Sequence, residues 1–267
     1  MPTRPRPEYL GVEYAARFRN QGVVDTYHFR PPYPEETFDI LVSLISDEPR
    51  AALDVGSGSG DIARRLVERV ERVDAVDFSR PMIAKGKTLP NGNNPRLRWI
   101  YGRAEEAPLD PPYALITGGQ SIHWMDWDIV LPRFRAVLTP HGYLAVLSVE
   151  GSLPWHDALP WDEEVGKIVK QYSTMPKYQE FDMIEEWQAR GLFEKLGEKE
   201  TAPVRFAQPL DEYIAAFHSM SSLSREHMGQ ENAAAFDREV RAVVSKYSTN
   251  GIIEKQVYGT IVWGRPL

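Results

Sequence analysis

The chain has 267 residues, 42% of them hydrophobic and 26% charged, so it has the composition of a globular protein long enough to bury its own core. Its 31 basic and 38 acidic residues give a formal net charge of −7, which supplies no overall positive field for a nucleic-acid duplex. The lack of cysteine excludes disulfides, thiolate metal sites and a cysteine nucleophile. No apolar run reaches the ~18 residues of a membrane span, and nothing after MPTRPRPEYL has the apolar core of a signal peptide. The expectation is a soluble cytoplasmic protein with neither membrane nor nucleic acid as partner.

Pro2, Pro5 and Pro7 predict a loose N-terminal arm. Phe38, Leu41, Val42 and Ile45 then recur at helical spacing over 35–46. From there apolar runs and amphipathic stretches alternate. AALDVG (51–56) is strand-like, GDIARRLVERV (60–70) helical, VDAVD (73–77) strand-like, and RPMIAKGK (80–87) a short helix with Pro81 in its first turn. RLRWIYG (96–102), YALITGG (113–119) and YLAVLSVE (143–150) read as further strands. Pro132 predicts a helix that begins near it or is interrupted there. This alternation predicts a mostly parallel sheet with helices on both faces.

After Gly151 the rhythm is lost. Phe181, Ile184 and Trp187 share a helical face ended by Gly191. Leu210, Tyr213, Ile214 and Phe217 mark another helix, and Phe236, Val240, Val243, Val244 and Tyr247 a third. KQVYGTIVWG (255–264) reads as a strand. The organisation expected is an arm and lid over 1–48, a core over 49–150, a mainly helical cap over 151–250, and a last strand at 251–267 returning to the sheet.

The chemistry concentrates in Leu53-Asp54-Val55-Gly56-Ser57-Gly58-Ser59-Gly60-Asp61, which follows a strand and opens a helix. Glycines let the backbone turn sharply and approach a ligand, and a helix N-terminus offers free N–H groups. Asp77 ends the next strand, where a carboxylate can accept both hydroxyls of a ribose. In the dinucleotide fingerprint G-x-G-x-x-G, the third glycine's place here belongs to Asp61, whose charge opposes a pyrophosphate. An acidic loop suits a cation better, and S-adenosylmethionine carries a sulfonium and an ammonium and no phosphate.

LDVGSGSG resembles the first motif of the class I S-adenosylmethionine-dependent methyltransferases. VDAVDFSRPMIAKGK, YGRAEEAPL, YALITGGQSIHWMDW and LTPHGYLAVLS resemble the following segments, in order, over about residues 50–150. His-Trp after the fourth strand and Arg30-Pro31-Pro32-Tyr33-Pro34 are similar to the small-molecule group related to quinone-biosynthesis methyltransferases. The resemblance implies a Rossmann-like α/β fold with a seven-stranded, mostly parallel sheet and a mainly helical C-terminal substrate cap. It implies S-adenosylmethionine as cofactor, S-adenosylhomocysteine as product, and a small-molecule methyl acceptor.

Residue by residue, Asp54, Gly56, Ser57 and Gly58 would surround the methionine part, with Arg30 meeting its carboxylate. Asp77 and Phe78 would hold ribose and adenine, Ala104 and Glu105 would border the adenine edge, and Met82 and Gln120 would complete the cofactor-binding set. On the acceptor side stand His123, as general base or substrate ligand, with Trp124, Tyr27 and Trp155. No metal site can be assembled.

Arg103 departs from the pattern, since this position often holds aspartate and arginine cannot accept a hydrogen bond from the adenine amine. Arg103 and Glu105 read equally as a surface ion pair. Tyr14, Phe18, Tyr27 and Phe29 read as an aromatic lid or as one face of a packed helix, and Trp155, Trp161 and Trp187 as a substrate wall or as core. Trp127 reads as packing. Two other functions stay open: a nicotinamide-dependent oxidoreductase, and a module that binds S-adenosylmethionine without turnover.

Overall fold

The computed structural model describes residues 7–150, 159–175 and 181–267. Strands β1 (Ala51–Val55), β2 (Arg72–Asp77), β3 (Leu97–Tyr101), β4 (Tyr113–Gly119), β5 (Leu138–Glu150), β6 (Phe193–Glu200), β7 (Val204–Pro209) and β8 (Ile252–Pro266) build an eight-stranded sheet. Its path is β3-β2-β1-β4-β5-β8-β6, with β7 paired to β8 off that path. Pairs among β1–β5 are parallel, and β8 runs antiparallel to β5, β6 and β7.

The eighth strand corrects the expected count of seven. β8 is long enough to pair with β5 and β6 through its C-terminal half and with β7 through its first six residues, Ile252–Val257. The stretch expected to be mainly helical therefore also carries β6 and β7. β6 is an edge strand with the sequence FEKLGEKE, exposed almost throughout. Charges along an edge discourage pairing with other chains, and they also erase the apolar alternation that marks a strand.

Helices α1 (Val12–Ala15), α2 (Gln21–Thr26) and α3 (Glu35–Ser43) precede the sheet. α4 (Ala63–Leu66), α5 (Arg80–Lys87) and α6 (Trp127–Val137) connect its parallel strands. α7 (Asp162–Tyr172), α8 (Met183–Ala189), α9 (Leu210–Phe217), α10 (Arg225–Met228) and α11 (Gln230–Val244) follow. Neighbouring residues of β1 point to opposite faces, as the strand period requires. Ala52 packs with Phe38 and Leu41 of α3 and Leu66 of α4. Leu53 and Val55 pack with Val130, Leu131 and Phe134 of α6 and Trp187 of α8. A separate core joins Trp161 and Val165 to Tyr213, Phe236 and Val240 within the helical part.

α6 runs through Pro132 without interruption. The proline removes only the N–H that would reach the Asp128 carbonyl, and Asp128 is exposed, so water can serve that oxygen. Burial of Val130, Leu131 and Phe134 on both sides of the proline holds the helix in register. The helix expected over 60–70 shrinks to α4, flanked by turns.

Candidate active site

β1 and β4 are neighbours in the sheet but connect onward in opposite directions, and the crevice beyond their C-terminal ends is where open parallel sheets bind ligands. A cleft of about 290 Å³ opens there. Its floor holds Gly56, Gly58, Asp77, Phe78 and Met82, one side Ala104 and Glu105, and the other Gln120, Ser121 and Trp124. Val12, Ala15, Phe18, Arg19, Tyr27 and Arg30, from the segment before α3, close it from above.

The glycine loop is shaped by backbone that other residues rarely adopt. Gly56 and Gly58 have φ of 62° and 56°, and a Cβ on Gly56 would lie 2.5 Å from the Ser121 Cβ. Gln120 is left-handed as well, at φ 50°, and its N–H donates to the Leu147 carbonyl at 3.0 Å. A non-glycine residue held there presents its exposed side chain to the cleft mouth instead of continuing β4.

Asp77 is the acid of the site. It is 6% exposed, and its carboxylate accepts the N–H of Gly58 and of Ser79, both at 2.7 Å. Burial pushes its carboxyl up to about 6, although both N–H groups favour the charged form. Ser79 also caps α5 by accepting the Met82 N–H, and its hydroxyl donates to the Phe18 carbonyl at 2.9 Å, tying the roof to the floor.

Asp54 does not line the cleft. It lies beneath the loop, 1% exposed, beside Thr117 in the β1–β4 register. Its carboxylate accepts the Thr117 hydroxyl at 2.9 Å and the Ala63 N–H at 3.2 Å. Burial pushes its carboxyl up to about 7. The acid therefore shapes the loop from behind and caps the start of α4. Ser57 is also absent from the cleft wall, and its hydroxyl is buried without a hydrogen-bond partner among the described residues.

Arg103 pairs with Glu105, Nη2 to Oε1 at 3.1 Å, and Asp126 N–H donates to the same oxygen at 3.0 Å. Burial raises the Glu105 carboxyl, but Arg103 and the Asp126 amide outweigh it and hold the group below its ordinary value. The carboxylate of Glu105 is thus committed to Arg103 and to the amide of Asp126, the N-cap of α6, which leaves the main chain around Ala104 as the polar edge of the cleft.

Trp124 lines the cleft and meets Phe18 edge-on at 5.9 Å. His123 does not line it; its imidazole lies 4.8 Å from the Trp124 ring. Trp155 lies outside the described residues. Trp127, Trp161 and Trp187 are core. Of the four aromatics expected there, Phe18 and Tyr27 line the cleft and Tyr14 and Phe29 do not; Val12, Ala15, Ala16 and Arg19, which sequence reasoning passed over, line it as well. Arg19 sits 4.8 Å over the Phe78 ring. Arg30 lies 4.4 Å over Tyr27, and Nε and Nη2 donate to the Ser219 hydroxyl and carbonyl, both at 2.7 Å. Among the described residues no group of three His, Asp or Glu could hold a metal, and no helix is long and apolar enough to cross a membrane.

Comparison with known proteins finds similarity to methyltransferases. Residues 52–142 match a family described as a methyltransferase domain. An uncharacterised methyltransferase of Mycobacterium tuberculosis is 33% identical over 144 residues, covering 52% of this chain and 54% of the relative. The chain spans about half the length of the curated relatives it matches. A provisionally assigned type II methyltransferase from Anaeromyxobacter dehalogenans shares the fold at a TM-score of 0.60 and 24% identity, over 88% of this chain and 97% of that one. A methyltransferase from Thiobacillus denitrificans, solved with S-adenosylhomocysteine, aligns at a TM-score of 0.50 and 15% identity, over 92% of this chain and 97% of that one.

Proposed function

We propose, from the match of residues 52–142 to a methyltransferase domain, that the chain is a class I S-adenosylmethionine-dependent methyltransferase and moves a methyl group from S-adenosylmethionine to a small-molecule acceptor. The observation that carries the reading is Asp77, an acid at a strand end whose carboxylate faces the cleft beside two left-handed glycines. The cofactor supplies, when bound, a methyl group already activated on a sulfonium.

The residues present fit that group. Asp77 would accept the ribose hydroxyls, Phe78 and Met82 would hold the adenine, and the main chain at Ala104 would meet its edge. Gly56 and Gly58 leave room for the methionine part. Arg30 has no carboxylate partner among the described residues, and its unused donors suit the carboxylate of that amino acid. A pyrophosphate lying on the glycine loop would instead face Asp61, in the place of the fingerprint's third glycine, which disfavours a nicotinamide dinucleotide.

The chain's contribution to rate is orientation. Phe18, Tyr27 and Trp124 enclose the acceptor and exclude water, and well-oriented reactants gain on the order of 7–11 kcal/mol. No protein nucleophile is required. His123, which does not line the cleft, is assigned no proton transfer. The −7 net charge favours a free small molecule over a nucleic acid as acceptor. The test is transfer of labelled methyl from S-adenosylmethionine into a small-molecule extract, with mass identification of the product. Label on RNA or DNA, with none on a small molecule, contradicts the acceptor class.

A further inference from the structure

The turn after α9 belongs to the helical part of the chain, yet it reaches the cleft through one contact. Ser219 is fully buried, and its hydroxyl proton is committed, because Oγ donates to the Ala216 carbonyl at 2.6 Å. The remaining lone pairs of Oγ therefore face Arg30, whose Nε donates to it at 2.7 Å. The Ser219 carbonyl accepts Nη2 of the same guanidinium, also at 2.7 Å. Two of the five guanidinium donors are fixed in this way, and the other three are left for the cleft that Arg30 lines.

The turn that carries Ser219 is itself locked. His218 is fully buried, with Nδ1 2.8 Å from the Leu223 carbonyl and Nε2 2.7 Å from the Asp237 carboxylate. Arg225 donates to the other oxygen of Asp237 at 2.8 Å. Ser219 thus presents its two acceptors to Arg30 from a rigid frame rather than from a loose loop.

We infer that Ser219 is a positioning residue: it fixes the guanidinium plane of Arg30 so that the free donors face the carboxylate of the bound cofactor. The helical part of the chain thereby helps to build the cofactor site. This rests on the S-adenosylmethionine reading. A guanidinium free to rotate about its last bonds would lose part of its affinity to ordering on binding, and a supporting shell removes that loss.

The experiment is a double-mutant cycle read by calorimetric titration with S-adenosylhomocysteine, on the wild-type chain, Ser219→Ala, Arg30→Ala and the double variant. Ser219→Ala is expected to weaken binding by ~10-fold, the scale of a hydrogen bond to a charged group, and to have no further effect once Arg30 is alanine. Ser219→Cys, which keeps the volume and weakens the acceptor, is expected to lie between, and it replaces the alanine variant if thermal unfolding shows that variant to be unfolded. Unchanged affinity in a folded Ser219 variant overturns the inference. So does an equal loss with and without Arg30, because the effect would then travel through the fold. Failure of the wild-type chain itself to bind S-adenosylhomocysteine is a different result, and it removes the cofactor reading and this inference together.

Discussion

The carboxylate of Asp77 accepts the backbone N–H of Gly58 at 2.7 Å, so the acid that ends one strand fixes the glycine turn that ends its neighbour. The same two oxygens are the acceptors offered to a ligand, which makes loop geometry and ligand affinity depend on one group.

Asp77→Asn keeps a side chain of the same shape but removes the charge. Affinity for S-adenosylhomocysteine is expected to fall by ~2–4 kcal/mol, since a charge-assisted pair of ribose bonds is lost. Calorimetry on the folded variant checks this, and unchanged affinity removes Asp77 from the binding site.

The pH dependence of binding follows from the same residue. Burial raises the Asp77 carboxyl to about 6 in the free protein, and the ribose hydroxyls favour the ionised form. Affinity is therefore expected to be full above pH 7 and to decline, by up to ~10-fold, as pH falls to 5. Titrations at several pH values decide it; affinity that is flat across this range contradicts an ionised Asp77 as the ribose ligand.

Asp54 makes the opposite demand on stability. Its folded value, about 7, lies above the ordinary aspartate value, so the free protein holds this proton more tightly than the unfolded chain. The contribution is present in full below about pH 4 and is lost as pH rises through 7. Asp54→Asn mimics the neutral acid: the amide can donate to Thr117 while its oxygen accepts the Ala63 N–H. The variant is expected to unfold ~3 °C or more higher than wild type at pH 8 and to lose that advantage at pH 4. Lower stability at pH 8 would show that the charge itself is needed to hold the loop.

His123 and Trp124 separate in their effects. Trp124→Ala opens the cleft wall and is expected to raise the KM for the acceptor. His123→Ala is expected to lower kcat by less than ~10-fold, short of the ~10²–10⁴-fold of a general base. A larger loss of kcat, together with loss of the acidic limb of the pH–rate profile, would assign His123 the proton.

Much of the core was legible in the sequence. β2, β4 and α5 lie within a residue of their expected bounds, because apolar strands buried on both faces and a Ser-capped helix with Pro81 in its first turn carry strong local signals. Gly56, Gly58, Asp77, Phe78, Met82, Ala104, Glu105 and Gln120 meet in one cleft as spacing and resemblance implied. What sequence could not show was direction. Asp54 lies one residue before the end of β1, where the strand period turns its side chain beneath the loop, and within the single turn Ile122–Trp124 it is Trp124 and not His123 that lines the cleft. Arg30 and Ser219 are 189 residues apart, and no local pattern announces a contact of that range. β6 was hidden because its charges suppress the alternation that marks a strand.

The most direct test of the cofactor site is calorimetric titration of the intact chain with S-adenosylhomocysteine and, separately, with NAD. One site for S-adenosylhomocysteine is expected, weakened by Asp77→Asn, with no saturable heat from NAD. NAD binding as tightly as S-adenosylhomocysteine, or S-adenosylhomocysteine binding that ignores Asp77, would contradict the site described above.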